Sequence, residues 1–237
     1  MSFLKAEWNN LALLNYDVNP EILKQYIPNG TELDYWNGKC YISLVGFMFE
    51  KVKLLGLTIP FHTRFEEINL RFYVKRFENN EWKRGVVFIK EIVPKPALTF
   101  VANTIYKEHY ETLPMFHGVN FEREDKRLFT YGWKKQNFKN SFTVITETEL
   151  SNIEIQSEAE FITEHYFGYT KTNKGTYEYE VKHPRWQQYK VKNYFMNVDF
   201  KGTYGDEFEF LQKQKPISVI LAKGSKISVE NKKLIIL

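Results

Sequence analysis

A single cysteine, Cys40, stands among 237 residues, so no intrachain disulfide framework holds this chain. Its neighbours Tyr41, Ile42, Leu44 and Val45 mark it as a small buried apolar residue. No base stands near it in sequence to make it a nucleophile. Glycines are few and isolated, 12 in all, and none forms a phosphate-cradling loop. The serines show no nucleophile elbow. No apolar run approaches the ~20 residues that span a bilayer. The opening segment, Met1 to Glu7, is charged almost at once, unlike a signal peptide. These absences lead to the expectation of a cytoplasmic protein with no membrane partner. Neither sign of charge dominates: the net charge is +4 with 26% charged residues. Basic and aromatic residues share no common stripe, so no nucleic-acid partner is expected. The short basic run Lys134, Lys135 and Lys139 reads as a solvated strand end. No linker, low-complexity tract or repeat of fixed period divides the chain.

Aromatic residues are abundant, at 17% with 20 Phe and 15 Tyr, and such side chains suit pleated, half-buried surfaces. A chain of this length buries roughly 70% of its unfolded surface without staples. The most informative segment is Phe65 to Phe77, where Glu67, Asn69, Arg71 and Tyr73 alternate with Ile68, Leu70, Phe72 and Val74. Period-two alternation is the mark of a strand with two unlike faces. The apolar face is core. The other face is either solvated, its charges balanced across strands, or turned into a cavity.

The rest of the chain predicts further strands. Trp8 to Tyr16 opens it, and Asn19 caps a short helix begun by Pro20. Leu33 to Trp36 and Cys40 to Phe49 flank the hairpin signal Asn37-Gly38. Residues 50–63 read as a long connection. Glu78 to Glu81 turns the central strand into Trp82 to Val93, which is nearly all apolar. Ala97 to Glu108 has apolar spacing that suits a helix packed on the sheet, through Ala97, Phe100, Val101 and Ile105. Met115 to Glu149 alternates in shorter runs. Ser157 with Glu160 is a capping box for a helix to about Tyr166. Beyond the Thr172 to Gly175 turn, Tyr177, Tyr179, Val181 and His183 share one strand face. Tyr189 to Phe200 is another strand, and Ile217 to Ala222 pairs with Ile227 to Val229 in a last hairpin across Gly224. The expected architecture is α+β, one domain over residues 1–237. A large antiparallel sheet curls into a cone or closed β-barrel, with a few short helices. Closure removes exposed strand edges.

Several side chains are candidates for chemistry. Alternate strand residues lie about 6.6 Å apart, so Glu67 and Arg71 are about 13 Å apart at the backbone. Arg71 suits a ligand carboxylate, held bidentately, while Glu67 acts elsewhere on the ligand. Glu164 and His165 fall near a helix end, and His183 ends a strand before Pro184-Arg185-Trp186. Arg185-Trp186 reads as a cation–π pair, a lid or plain packing. His109 and His117 complete no pair at metal-ligand spacing, so no metal site is expected. His183-Pro184 reads as a structural corner with its imidazole bonded to backbone or to a carboxylate.

Four blocks then carry a resemblance: Phe65 to Val74, Arg84 to Phe88, Phe161 to Tyr169, and Tyr179 to Trp186. Together they resemble the YqjF-like family of bacterial domains, grouped with the acetoacetate decarboxylase-like superfamily. The likeness runs from about Trp8 to Ser228. It implies a curled or closed sheet around a cavity, and a carboxylate-binding role for Arg71. Acetoacetate decarboxylases use a Schiff-base lysine beside a second lysine. The corresponding stretch here, Ala102 to His109, has only Lys107, next to Glu108, which would raise its pKa.

The first expectation is therefore a protein that binds a small, anionic organic molecule in the barrel, without cofactor or metal. Its ligand-binding set is Glu67, Asn69, Arg71, Tyr73, Glu164, His165, His183 and Trp186. One alternative is an enzyme on a small carboxylate or keto acid, with Glu67 as base and His165 as acid and no Schiff-base lysine. Another is a non-catalytic domain whose exposed strand edges near the last hairpin recruit a partner chain.

Overall fold

A computed structural model describes residues 2–123 and 125–236. Strand β1 (Leu4–Asp17) leads into a 3-10 turn over Pro20–Tyr26, where the Asn19 side chain accepts from the Glu21 N–H. Two short strands follow, β2 (Glu32–Leu33) and β3 (Tyr35–Trp36). Asn37 and Gly38, both at positive φ, then reverse the chain into β4 (Lys39–Leu54). Next come β5 (Phe65–Glu78) and β6 (Glu81–Val93), joined by Asn79 and Asn80 in the left-handed region. A helix, α1 (Pro96–Val101), runs into a π-helical turn over Ala102–Tyr106. Strands β7 (Tyr110–Thr112), β8 (Met115–Arg123), β9 (Lys126–Lys135) and β10 (Phe138–Asn152) precede helix α2 (Glu158–Thr163). Strands β11 (Phe167–Thr172), β12 (Gly175–Lys182) and β13 (Gln187–Asn197) lead to α3 (Phe200–Tyr204) and a 3-10 turn over Asp206–Gln212. The chain closes with β14 (Ser218–Val229) and β15 (Lys233–Ile235).

Among the described residues these strands form one continuous sheet. Its middle closes on itself. In order, β1, β4, β5, β6, β11, β12 and β14 are neighbours, and β14 pairs back to β1. The closing seam is short, with Val181 opposite Val229 and Lys182 opposite Ser228. The β6–β11 contact is parallel and equally short, with Phe167 opposite Gly85. A Cβ on Gly85 would lie 2.6 Å from the Phe167 carbonyl oxygen, so glycine permits this approach. Strands β13, β10, β9 and β8 continue the sheet from β14 as an arm.

Closure creates two interiors. The outer faces of β1, β4 and β5 contribute Leu14, Tyr16, Leu44, Ile68, Leu70 and Phe72 to one cluster. The arm covers them with Phe129, Tyr131, Trp133 and Phe142, and α3 with its following turn adds Phe200, Tyr204, Phe208 and Leu211. Asp199 caps α3 by accepting from the Gly202 N–H at 2.8 Å. The inner faces form a second cluster in the barrel lumen, with Leu13, Val45, Phe47, Phe65, Tyr73, Tyr179 and Ile220. Helix α2 buries Phe161 and Ile162 in it, Phe161 against the rings of Tyr41 and Tyr73.

Some expectations fail. No hairpin crosses Gly224: Ser218–Val229 is one strand, paired to β1 from Leu4 to Asn15. Gly224 sits opposite Asn9, where a Cβ would lie 1.9 Å from the Trp8 carbonyl oxygen, so the glycine serves close strand approach and not reversal. The connection after residue 50 is shorter, because β4 runs on to Leu54. The segment after Pro96 does not bury its apolar stripe in the sheet: Phe100 is exposed, and the helix unwinds before Lys107. Helix α2 ends at Thr163, since Glu164 leaves helical geometry. Its cap forms as expected, with the Glu160 N–H donating to Ser157 Oγ at 3.1 Å. Two parallel pairings, β6–β11 and β6–β7, make the sheet mixed. Helix α3 and the turn after it lie where the sequence showed no clear pattern.

Candidate functional site

Every strand of the closed ring lends side chains to one cavity of about 220 Å³ in the lumen. Much of its wall is apolar. Leu4 and Trp8 come from β1, Phe47 and Phe49 from β4, Phe65 from β5, Phe88 from β6 and Val181 from β12. Leu98 and Val101 of α1, with Tyr106 beyond it, complete that wall, and Tyr106 packs on Phe3 with ring centroids 4.7 Å apart.

The ionic row of β5 faces this cavity. Glu67, Asn69 and Arg71 line it and are 4%, 1% and 8% exposed. A register shift against β6 between Leu70 and Arg71 sets Arg71 opposite Phe88, with Ile89 as the extra residue. The Arg71 guanidinium makes no hydrogen bond or ion pair among the described residues. Its contact is the Tyr73 ring, with 5.6 Å from the guanidinium carbon to the ring centroid. A buried charge without a partner is costly, and its Nε is left unbonded.

Two further carboxyls line the same cavity: Glu91, next to Lys90 near the end of β6, and Glu108, after the left-handed Lys107. Lys107 itself is exposed and lies outside the cavity wall, and no lysine is among the described lining residues. Glu67 accepts from Tyr110 Oη and from Asn69 Nδ2, both at 3.1 Å. Glu108 accepts from Thr170 Oγ1 at 2.6 Å and from Tyr179 Oη at 3.2 Å. Burial pushes Glu67 up to about 7, against the pull of Asn69, Tyr110 and the Arg71 charge. Burial likewise raises Glu108 to about 7, with the Glu67 charge adding to it. Glu91 is raised well above the usual carboxylate range by burial and by its two carboxyl neighbours, and its Oε2 has no hydrogen-bond partner. Carboxyls this close and this dry do not all ionise together.

His165 lines another part of the wall. Its Nε2–H donates to Asp34 Oδ2 at 3.2 Å, and Arg84 Nε donates to the same oxygen at 2.6 Å. Burial lowers the imidazole to about 4 despite Asp34, with the Arg84 charge also opposing protonation. The ring is therefore neutral near pH 7, and its buried Nδ1 has no partner. The expected part for His165 as an acid does not suit this state, since a neutral Nδ1 accepts hydrogen bonds. His183 also lines the cavity, donates from Nδ1 to the Pro184 carbonyl at 2.9 Å, and stacks on Trp186 at 4.1 Å. Trp186 lines the wall and donates to Ser225 Oγ at 2.9 Å, while Arg185 pairs with Glu160.

The structure thus brings Glu67, Asn69, Arg71, His165, His183 and Trp186 to one cavity. Tyr73 lies behind the wall, its hydroxyl 2.7 Å from Ser43 Oγ. Glu164 stays off the wall and bonds the Tyr166 hydroxyl. Glu91 and Glu108 were missed. Glu91 carried a signal, since a lone carboxyl amid Ile89, Ile92 and Val93 must find a reason to be buried. Glu108 carried none, because the turn at Lys107 decides its direction. Among the described residues no cluster of His, Cys, Asp or Glu is arranged to hold a metal ion.

This chain belongs to the DUF2071 family, described as an uncharacterized conserved protein, which residues 5–226 match. It is 26% identical to the uncharacterized protein YqjF of Bacillus subtilis (strain 168) over 187 residues, which cover 77% of this chain and 74% of that one. Among solved structures, it resembles the enduracididine biosynthesis enzyme MppR with bound HEPES buffer. That match has a TM-score of 0.70 and 12% identity, over 100% of this chain and 89% of that one. MppR complexed with pyruvate matches with a TM-score of 0.67 and 10% identity, over 99% and 91% of the two chains. Acetoacetate decarboxylase from Legionella pneumophila matches with a TM-score of 0.61 and 12% identity, over 99% and 86%. These likenesses establish the acetoacetate decarboxylase-like fold.

Proposed function

We propose that this member of the DUF2071 family binds a small organic acid in its barrel lumen. The carboxylate sits on Arg71 and the carbon skeleton lies against the aromatic wall. The observation that carries this reading is the state of Arg71, a guanidinium 8% exposed, facing a cavity, with no ion pair of its own. A planar carboxylate matches its donors bidentately and supplies the missing charge. The cavity, about 220 Å³, suits a metabolite-sized ligand. One of the structural relatives holds pyruvate, so acids of that kind are fitting first probes.

The test is calorimetric titration of pyruvate and caproate into the wild type and Arg71→Ala. Loss of the charge-assisted pair removes about 2–3 kcal/mol, a weakening of roughly 30- to 150-fold. Among the described residues Arg71 bonds no protein group, so its removal leaves no partner stranded there and the fold is expected to be retained. Equal binding by both proteins would end the reading.

A second reading is favoured by Glu67, a carboxyl at about 7 in the same cavity with a phenol donating to it. A base near the working pH suits proton abstraction beside a carbonyl. Glu67 takes a proton from the carbon beside the carbonyl of a bound keto acid (C3 of pyruvate), the C–H electron pair becomes the C=C bond, and the carbonyl π pair moves to oxygen as the enolate. Deuterium exchange at the C3 methyl of bound pyruvate, lost in Glu67→Gln, is the expected signature. Exchange no faster than in buffer would rule it out.

A further inference from the structure

Arg71 leaves half of the lumen unexplained. The other polar pole holds Glu67, Glu91 and Glu108, an arrangement that repels a second anionic group. Glu91 lines the cavity, and its buried Oε2 has no hydrogen-bond partner among the described residues. Burying an unsatisfied carboxyl costs about 1–3 kcal/mol, so the site is poised for a donor. The two poles are offset. Glu91 pairs across from Asn69, two residues along β5 from Arg71, a shift of about 6.6 Å.

We propose that the ligand is bipolar, with a carboxylate on Arg71 and, several carbons away, an ammonium group received by Glu91 together with Glu67 and Glu108. This rests on the reading of Arg71 given above and names the ligand class. An ammonium offers three N–H donors and no acceptor, which matches a cluster of acceptors. The two charges of an α-amino acid share one carbon, which suits a single pole better than two offset ones. An ω-amino acid with an apolar chain spans them and keeps its methylenes against the wall between.

The groups facing the acidic pole fix the proton balance. Arg71 stands along β5, Tyr110 on β7 and Tyr179 on β12 contribute phenols, and the charge of Lys232 acts on Glu108 from outside the wall. Burial holds both phenols well above their ordinary value, so they remain neutral donors. Glu67 and Glu108, near 7, are partly protonated at neutral pH. An arriving ammonium favours the carboxylate forms and expels protons.

Three probes of one chain length separate the possibilities: ε-aminocaproate, caproate and hexylamine, titrated at neutral pH in two buffers of different ionisation enthalpy. ε-Aminocaproate is expected to bind at least ~10-fold tighter than caproate, the worth of one charge-assisted contact. It alone of the two acids should release protons on binding. Glu91→Gln keeps the shape and narrows that preference, read as the ratio of the two acids' affinities. Caproate binding as tightly as ε-aminocaproate to the wild type, without proton release by either, would overturn the bipolar ligand and leave the Arg71 reading in place. Tight hexylamine binding with no affinity for either acid would overturn both.

Discussion

Strand β5 separates two interiors, and they are built by opposite rules. On its outer side Ile68, Leu70, Phe72 and Val74 are all fully buried against the arm and its aromatic residues. On its inner side Glu67, Asn69 and Arg71 are nearly as buried, yet they border a cavity and leave polar atoms unbonded. Burial alone does not distinguish the two. What differs is charge and room: the outer layer fills its space with apolar contacts, its unbonded polar atoms including the Tyr169 and Tyr204 hydroxyls, while the lumen holds a guanidinium without an ion pair among the described residues and an open cavity. Departure from complete packing and pairing at one place marks a site.

The comparison breaks most sharply on stability. Phe72→Ala, in the outer layer, should cost about 3–5 kcal/mol, the range for a large buried side chain cut to alanine. Urea unfolding measures it, and a loss below about 1 kcal/mol would show that the outer layer is not the tighter interior.

The pH dependence probes the lumen itself. Folded Glu67 and Glu108 hold their protons up to about 7, whereas unfolded glutamates ionise near their ordinary value of 4.5. Below 4.5 both states are protonated and nothing is lost. Between those values the folded state binds more protons, so stability falls as pH rises, by about 1.4 kcal/mol per unit for each group. Above about 7 the loss from these two groups levels off, while Glu91, raised well above the usual range, adds a decline of the same sign. Asp34 and Glu178 act in the opposite sense: although burial opposes it, their cationic and hydrogen-bonded partners hold them below the usual range. Their stabilisation is present at neutral pH and lost on acidification. Replacing Glu67 and Glu108 together by glutamine should make the decline between 4.5 and 7 in urea midpoints shallower, leaving the share due to Glu91. An unchanged slope would mean that the lumen carboxyls ionise freely.

The smallest stability effect is expected at Arg71. Its alanine variant should unfold within about 1 kcal/mol of the wild type while losing acid binding, because a buried unpaired charge contributes little to the fold. A large destabilisation would place Arg71 with the structural residues of the outer layer.

Much of this was legible along the chain. The alternation of β5, the Asn37-Gly38 and Asn79-Asn80 reversals and the caps at Asn19 and Ser157 are local signals, and each took the expected form. The resemblance carried the curled fold. What failed was less local. Gly224 has the chemistry of a turn but serves as a point of close approach to β1, a neighbour remote in sequence. The stripe after Pro96 has helical spacing but borders the cavity instead of packing into a sheet. His165 could be placed near a pocket from its block, but its neutral state comes from burial inside the closed ring, which outweighs the pull of Asp34.

The amino-acid order determined that the chain makes strands, that no disulfide braces them, and that β5 carries an ionic face opposite an apolar one. Those properties follow from side-chain period and composition, which act over a few residues. Tertiary structure decided that both faces are interior, and that Glu91 and Glu108 line the same cavity as Arg71. The reason is closure: the seam between β12 and β14, and the arm folded over β5, join segments far apart in sequence, and no local pattern encodes which faces such contacts will enclose.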